Sequence, residues 1–215
     1  MVKAKKDETR LAPEVAPDPA YLAPGEIVEG ALLEDAWVRN GDVSGKTIRR
    51  LAVRRSLIEA LSFAAADLRS VSLRDVRLVR CDFSNTVVRG LEASRVEFID
   101  CRLAGLKALE CRIEHTLLER CDARYAQFSG GVFRCSDFVD SRLQESDFRD
   151  VNLEHTRWIR SSLNRAELAG AKLAGADLRG AGIEGIVVRA PDVAGAIVSP
   201  GQAMELARLL GLVIR

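Results

Sequence analysis

Apolar side chains recur at every fifth position from Leu33 to Val188 without a slip, through Val38, Val43, Ile48 and onward to Trp158, Leu163, Leu168, Leu173, Leu178 and Ile183. With 47% of the chain apolar, so long a run in one chosen register has a chance of roughly 10⁻¹⁰, and it reads as an internal repeat. Two positions before each of these stands a smaller residue, as in Ala66, Val71, Val76, Cys81, Thr86, Cys101, Ser141, Ala171 and Ala176. Side chains two apart on an extended chain point the same way, so each pair forms one inward edge. From the larger residue to the next small one is three steps, so the backbone must turn a corner in every block. Corners near a right angle close one coil in four blocks, or twenty residues, and successive coils stack about 4.8 Å apart through strand ladders. The predicted interior is a ladder of Phe63, Leu68, Leu73, Leu78, Phe83, Phe98, Phe128, Phe133, Phe138, Phe148 and Trp158. Where the larger position shrinks to Ala93 or Ala108, the small one grows to Leu91 or Leu106, which keeps the filled volume roughly constant.

The pattern divides the chain into three. Residues 1–25 hold Pro13, Pro17, Pro19 and Pro24 with no period, and read as a flexible, extended tail or linker. Residues 26–198 are the coil, with an irregular first turn where Lys46 and Leu51 occupy small positions. In residues 199–215, Ser199-Pro200-Gly201-Gln202 reads as an N-cap, a proline at the first helical position and a capping-box glutamine. A short helix follows to Leu210, stopped by Gly211, with Leu212-Val213-Ile214 as a last extended piece. Ala203, Met204, Leu206, Ala207 and Leu210 give that helix a wide apolar stripe, which with Val213 is the expected dimer interface or cover for the open coil end.

Ala66-Asp67-Leu68-Arg69, Cys81-Asp82-Phe83-Ser84, Ser146-Asp147-Phe148-Arg149 and Ala176-Asp177-Leu178-Arg179-Gly180 resemble the A(D/N)Lxx pattern of the pentapeptide-repeat family. The resemblance implies an all-β fold, a right-handed quadrilateral β-helix of about eight coils, roughly 40 Å long at the rung spacing, with a short C-terminal α-helix. At the C-terminus, Gln202, Ala203, Ala207, Gly211 and Leu212 resemble the quinolone-resistance (Qnr and MfpA) group. Members of that group dimerise end to end into a rod that imitates duplex DNA, bind DNA gyrase and relieve quinolone inhibition. The resemblance therefore implies a homodimer, a protein partner that is DNA gyrase, and no catalysis.

Charge changes that picture in one respect. Lys and Arg total 32 against 31 Asp and Glu, a formal net charge of +1, whereas a duplex mimic presents rows of negative charge. Positive charge is in excess on two of the four faces, those running from Lys46 to Arg189 and from Arg54 to Lys172. The alternative reading is accordingly a repeat module with another protein partner, or direct nucleic-acid contact through Arg49, Arg50, Arg54, Arg55, Arg69, Arg74, Arg77 and Arg80. No aromatic side chains interleave with these arginines, which weighs against a nucleic-acid surface. The basic N-terminus leads into Asp7-Glu8, no apolar run spans a membrane, and a cytoplasmic protein is expected.

Candidate chemistry is sparse. Asn40-Gly41-Asp42-Val43-Ser44-Gly45-Lys46-Thr47 imitates a phosphate-binding loop but keeps the five-residue register instead of opening a helix. Cys81, Cys101 and Cys121 fall on one inward column, where small buried thiols are expected and rung spacing leaves their Cβ atoms too far apart for disulfides. His115, Cys135 and His155 stack along one corner in a line, whereas structural zinc takes four ligands around a point. Beside them, Glu114, Arg134 and Glu154 are expected to alternate as charge pairs. No acid, base and nucleophile constellation stands out, and no cofactor, metal or catalytic residue is expected.

Overall fold

In a computed structural model the described residues are 9–209 and 211–214. The chain forms β1 (Ala20–Leu22), β2 (Leu32–Glu34), β3 (Ala36–Asp42), β4 (Thr47–Arg54), β5 (Leu57–Ser62), β6 (Asp67–Val79) and β7 (Val87–Ile99). It continues with β8 (Lys107–Leu109), β9 (Arg112–Glu119), β10 (Val132–Arg134), β11 (Asp137–Val139), β12 (Arg157–Ile159) and α1 (Pro200–Leu209). Pairing is parallel throughout, and in the repeat it advances by twenty residues: Trp37 faces Leu57, Leu57 faces Arg77, Glu97 faces Leu117 and Asp137 faces Arg157. The main strand path, β1-β3-β5-β6-β7-β9-β11-β12, makes a solenoid of about 7 turns. Isolated bridges from Arg157 to Asp177 and from Asp177 to Ile197 extend one column toward the C-terminus.

The corners have one physical signature. From Gly30 to Gly195 every fifth residue except Ala190 is left-handed, with φ between 48° and 81°. Ten of these are glycine and 23 are not; Arg50, Ala65, His115, Arg120 and Tyr125 are among the others. A lone left-handed residue costs about 1–2 kcal/mol. The corner amide offsets it by joining the ladder, as when Ala65 N–H donates to Ser84 O at 2.9 Å and Tyr125 N–H to Gln144 O at 3.1 Å. Ala190 departs because a 3-10 turn, Ala190–Val193, replaces that corner.

Inward positions are filled as the five-residue period requires. Of the expected ladder, Phe98 alone is partly exposed while packed against the core; the others are buried. Leu91 and Leu106 are buried beside Ala93 and Ala108. The C-terminal half holds an aromatic stack in which Phe138 and Trp158 lie parallel at 3.8 Å and Phe148 meets Trp158 edge-on at 5.7 Å. Two buried threonines satisfy their hydroxyls on nearby carbonyls: Thr86 Oγ1 donates to Phe63 O at 2.7 Å and Thr156 Oγ1 to Leu153 O at 2.7 Å.

All five cysteines are buried thiols, none of them in a disulfide. A hydrogen bond with Cys101, then burial, pushes the Cys81 thiol up; a hydrogen bond with Cys121 pushes Cys101 up to about 12; burial pushes Cys111 up to about 12. The thiolate is the reactive form, so a thiol reagent should leave the native protein unlabelled at neutral pH and label all five cysteines in denaturant. Rapid native labelling at Cys81, Cys101 or Cys111 would show that these inward columns open.

Both ends are covered by short helical turns. Pro24–Glu26 forms a 3-10 turn packed on Gly41, where an added Cβ would stand 2.2 Å from Pro24 Cβ and 2.4 Å from Leu61 Cδ1. Glycine is required there for that close approach. At the other end Leu206 is buried against the core. Gln202 Nε2 donates to Leu178 O at 2.6 Å and to Ala181 O at 2.9 Å, which fastens α1 over the last coil. The expected capping box is present: Ser199 N–H donates to Gln202 Oε1 at 2.9 Å and Gln202 N–H to Ser199 Oγ at 3.3 Å. Gly211 N–H and Leu212 N–H return to Arg208 O and Ala207 O, each at 2.9 Å, as a left-handed C-terminal stop requires.

Candidate functional site

Fixed coil geometry turns the surface into a lattice of side chains, each one rung from its neighbours twenty residues away. Two kinds of arginine–aspartate pair populate it. Along the axis, Arg55 meets Asp35 at 2.7 Å, Arg120 meets Asp100 at 2.7 Å and Arg160 meets Asp140 at 2.6 Å. Within a block, Arg69 meets Asp67 at 2.6 Å, Arg124 meets Asp122 at 2.8 Å, Arg149 meets Asp147 at 2.6 Å and Arg179 meets Asp177 at 2.7 Å. In three of this second kind the aspartate also accepts the backbone N–H two residues on, at 3.4 Å for Arg124, 3.0 Å for Arg149 and 3.1 Å for Arg179. The repeat position flanking the core thus does local hydrogen-bonding work, which explains the preference for Asp there. Hydrogen bonds from these arginines hold Asp67, Asp100, Asp122, Asp140, Asp147 and Asp177 below the usual carboxylate range. Most of these pairs are solvent-facing and contribute little to stability.

A shallow cleft of about 370 Å³ follows one corner, lined by Arg80, Asp82, Asp100, Arg102, Arg120, Asp122 and Arg142, with Cys81 and Cys101 behind. Its charges are already matched: Arg80 pairs with Glu59, Arg102 with Asp82, Arg120 with Asp100, and Arg142 with Asp122. It therefore offers no uncompensated group to a ligand. The phosphate-loop imitation is also committed to the coil. Val43 N–H donates to Ser62 O and Gly45 N–H to Ala64 O, at 2.8 and 2.9 Å, while Asp42 Oδ1 accepts from Ser44 N–H at 2.8 Å.

His115, Cys135 and His155 are all corner residues, with φ of 53°, 49° and 59°, so they follow the solenoid axis instead of converging. Among the described residues no group of three His, Cys, Asp or Glu side chains could hold a metal ion. His115 Nδ1 accepts from Leu11 N–H at 3.4 Å, and the His155 ring covers Gly175. The strand register places Glu114 beside Arg134. Glu154 N–H donates to Asn152 Oδ1 at 2.9 Å and Asn152 Nδ2 to Glu154 Oε2 at 3.3 Å.

Like charges do meet on one face. Arg49, Arg69 and Arg89 are in register on three consecutive rungs; Asp67 serves the last two and Glu29 lies 3.9 Å from the first. At the C-terminal end, Leu206 of the expected interface residues is buried in the cap and Ala207 is half-buried. Ala203, Met204 and Val213 are exposed, and Leu210 lies outside the described residues. Leu209, Leu212 and Ile214 join the exposed apolar surface there. Among the described residues no helix is long and apolar enough to cross a membrane.

Comparison with known proteins places this architecture. A model for the pentapeptide repeat region matches residues 71–148, and one for pentapeptide repeats (8 copies) matches 146–181. No curated protein sequence matches the chain. Among solved structures, HetL, a pentapeptide-repeat protein involved in heterocyst differentiation regulation from the cyanobacterium Nostoc sp. strain PCC 7120, is 17% identical over 89% of each chain with a TM-score of 0.45. QnrB1, a plasmid-mediated fluoroquinolone resistance protein, is 18% identical over 92% of this chain and 98% of its own, with a TM-score of 0.41. The two matched stretches run together from 71 to 181 across coils whose every fifth residue turns a left-handed corner, and the chain belongs to the pentapeptide-repeat family.

Proposed function

We propose that this protein is a non-enzymatic interaction scaffold of the cytoplasm: two copies pair through their C-terminal ends into a rod, and the rod binds DNA gyrase. The carrying observation is the C-terminal end. Gln202 and Leu206 fasten α1 over the last coil, while Met204, Leu209, Leu212 and Val213 remain 48%, 42%, 62% and 83% exposed. Apolar surface gathered at the tip of a rod suits a second copy of the same tip. Gyrase as partner rests on the C-terminal pattern of Gln202, Ala203, Ala207, Gly211 and Leu212. Recognition of gyrase would then read spacing and alternating charge, since the faces carry paired Arg and Asp and no continuous acidic row.

The test is gyrase supercoiling with and without a quinolone, beside sedimentation of the protein alone. The expected results are a dimer that Met204→Asp and Val213→Asp reduce to monomer, and an effect on supercoiling or on quinolone inhibition at micromolar protein. A monomer would remove the rod, and no effect at that concentration would remove gyrase. The Arg49, Arg69 and Arg89 stack favours a second reading, direct nucleic-acid contact. Under that reading the protein alone retains duplex DNA, more weakly as salt rises and less after Arg69→Glu.

A further inference from the structure

Residues 9–19 have no regular secondary structure, yet they follow one corner of the solenoid as a strap. Ala20 N–H donates to Asp35 O at 2.8 Å, Ala16 N–H to Arg55 O at 2.9 Å, Glu14 N–H to Asp75 Oδ1 at 3.1 Å and Leu11 N–H to His115 Nδ1 at 3.4 Å. The strap thus climbs four coils while the sequence runs backward from Ala20 to Leu11. Arg10 then crosses to the adjoining face, its Nη1 3.2 Å from Glu97 Oε1 and its Nε 3.5 Å from Asp137 Oδ2. Pro13, Pro17 and Pro19 fall between the donating residues, where a missing N–H loses nothing.

With the strap in place, the surface beneath it is a closed groove. Asp75, Glu97, Leu117 and Asp137 occupy corner or outward positions, which elsewhere are mostly exposed or half-buried, yet they are 5%, 6%, 9% and 5% exposed. Leu117 is buried outside the core cluster, on the rung between Glu97 and Asp137, so the guanidinium of Arg10 spans it. Two carboxylates flanking an apolar floor suit an arginine: its donors reach both acceptors while its stem packs between.

The strap is also built to leave. Each carboxylate keeps an arginine of its own from the solenoid: Arg95 with Asp75 at 2.5 Å, Arg77 with Glu97 at 2.8 Å and Arg157 with Asp137 at 2.5 Å. Removing Arg10 therefore strands no buried charge. Ala16 is the strap's one fully buried side chain, and Leu11 is 53% exposed. A segment with so little apolar burial belongs to the low-stability end of the molecule.

We propose that this groove is a docking site for an extended segment of a partner protein bearing an arginine followed by an apolar residue, and that residues 9–20 fill it in cis as a displaceable stand-in. The groove supplies acceptors along its length, two backbone carbonyls, a carboxylate and an imidazole nitrogen, and ends in the arginine seat. It thereby reads an extended backbone and one cationic side chain. The tethered strap competes at high effective concentration, so a partner gains access only when it binds better or the strap is weakened. The inference deepens the scaffold reading but uses no gyrase, so the failure of one leaves the other standing.

The test uses the full chain and a fluorescent peptide with the sequence of residues 9–20. Wild type is expected to bind the peptide at least tenfold more weakly than Arg10→Glu, in which the seat repels the strap. Adding Glu97→Gln and Asp137→Asn to Arg10→Glu should abolish the gain. Amide exchange across residues 9–20 should quicken in Arg10→Glu while the coils stay protected. Ala16→Pro, which removes a strap donor without touching the solenoid, supplies a second opened form. Straps that stay protected in both variants, or open and leave a groove that ignores the peptide, would overturn the proposal. Exchange of straps between copies, seen as a new dimer of Arg10→Glu, would assign the groove to a second copy and overturn the partner.

Discussion

Replacing Trp158 with alanine is expected to cost about 3–5 kcal/mol of stability, the range for deleting a buried tryptophan that its surroundings do not refill. Trp158 is 1% exposed, stacks on Phe138 at 3.8 Å and meets Phe148 at 5.7 Å, and its Nε1–H donates to Thr156 Oγ1 at 3.0 Å. All of these neighbours belong to a backbone pinned by ladders, so the cavity does not collapse. In a solenoid each coil rests only on the next. The loss should therefore appear first as faster amide exchange from about residue 138 onward, with the N-terminal coils protected longer. Trp158→Phe keeps the stack, gives up the hydrogen bond and should cost about 1 kcal/mol. Equilibrium urea unfolding decides the matter; a loss below about 1 kcal/mol for the alanine variant would mean that the aromatic stack is not what holds these coils.

The second large effect belongs to Gln202. Gln202→Leu keeps the side chain's bulk but removes two donations, to Leu178 O and Ala181 O, and the acceptor for Ser199 N–H. Leu178 O keeps the Ala181 N–H at 2.9 Å, so Ala181 O and Ser199 N–H are the groups left unpaired, at about 1–3 kcal/mol each when water does not reach them. A total of about 2–4 kcal/mol is expected, because fraying lets in some water. The same change frees α1 from the last coil, so the proposed C-terminal pairing should weaken together with stability. Sedimentation and thermal melting of one sample test this jointly. Retained dimer with a lowered melting temperature would separate capping from pairing.

Much of this arrangement was legible in the residue order. The register of Leu33 to Val188 requires an inside and an outside at every step, and the burial of Phe63, Phe83, Phe133 and Trp158 follows from it. Ser199 and Gln202 announce the helix cap because a capping box is a local device, readable within four residues. The corners were legible in position but less so in conformation. Gly30, Asp35, Asn40 and Gly45 suit a left-handed turn, whereas Arg120 or Tyr125 adopt it only because the ladder holds them there.

The charge pattern shows where residue order runs out. Asn152 and Glu154 bond to each other within one turn, a contact that a spacing of twenty does not announce because it depends on rotamers. The strap was hidden for a related reason. Nothing periodic marks residues 9–19, and the seat of Arg10 joins Glu97 to Asp137, carboxylates forty residues apart that meet one guanidinium only after two turns have been wound.

Periodicity alone settles the winding, the composition of the interior and the place where a helix takes over, since each depends on neighbours a few bonds away and on the removal of apolar surface from water. Which carboxylate each arginine takes, what Gln202 fastens and where the N-terminal segment rests were decided by the folded coil. These are contacts between residues far apart in the chain, and their geometry comes into being only when the rungs are stacked.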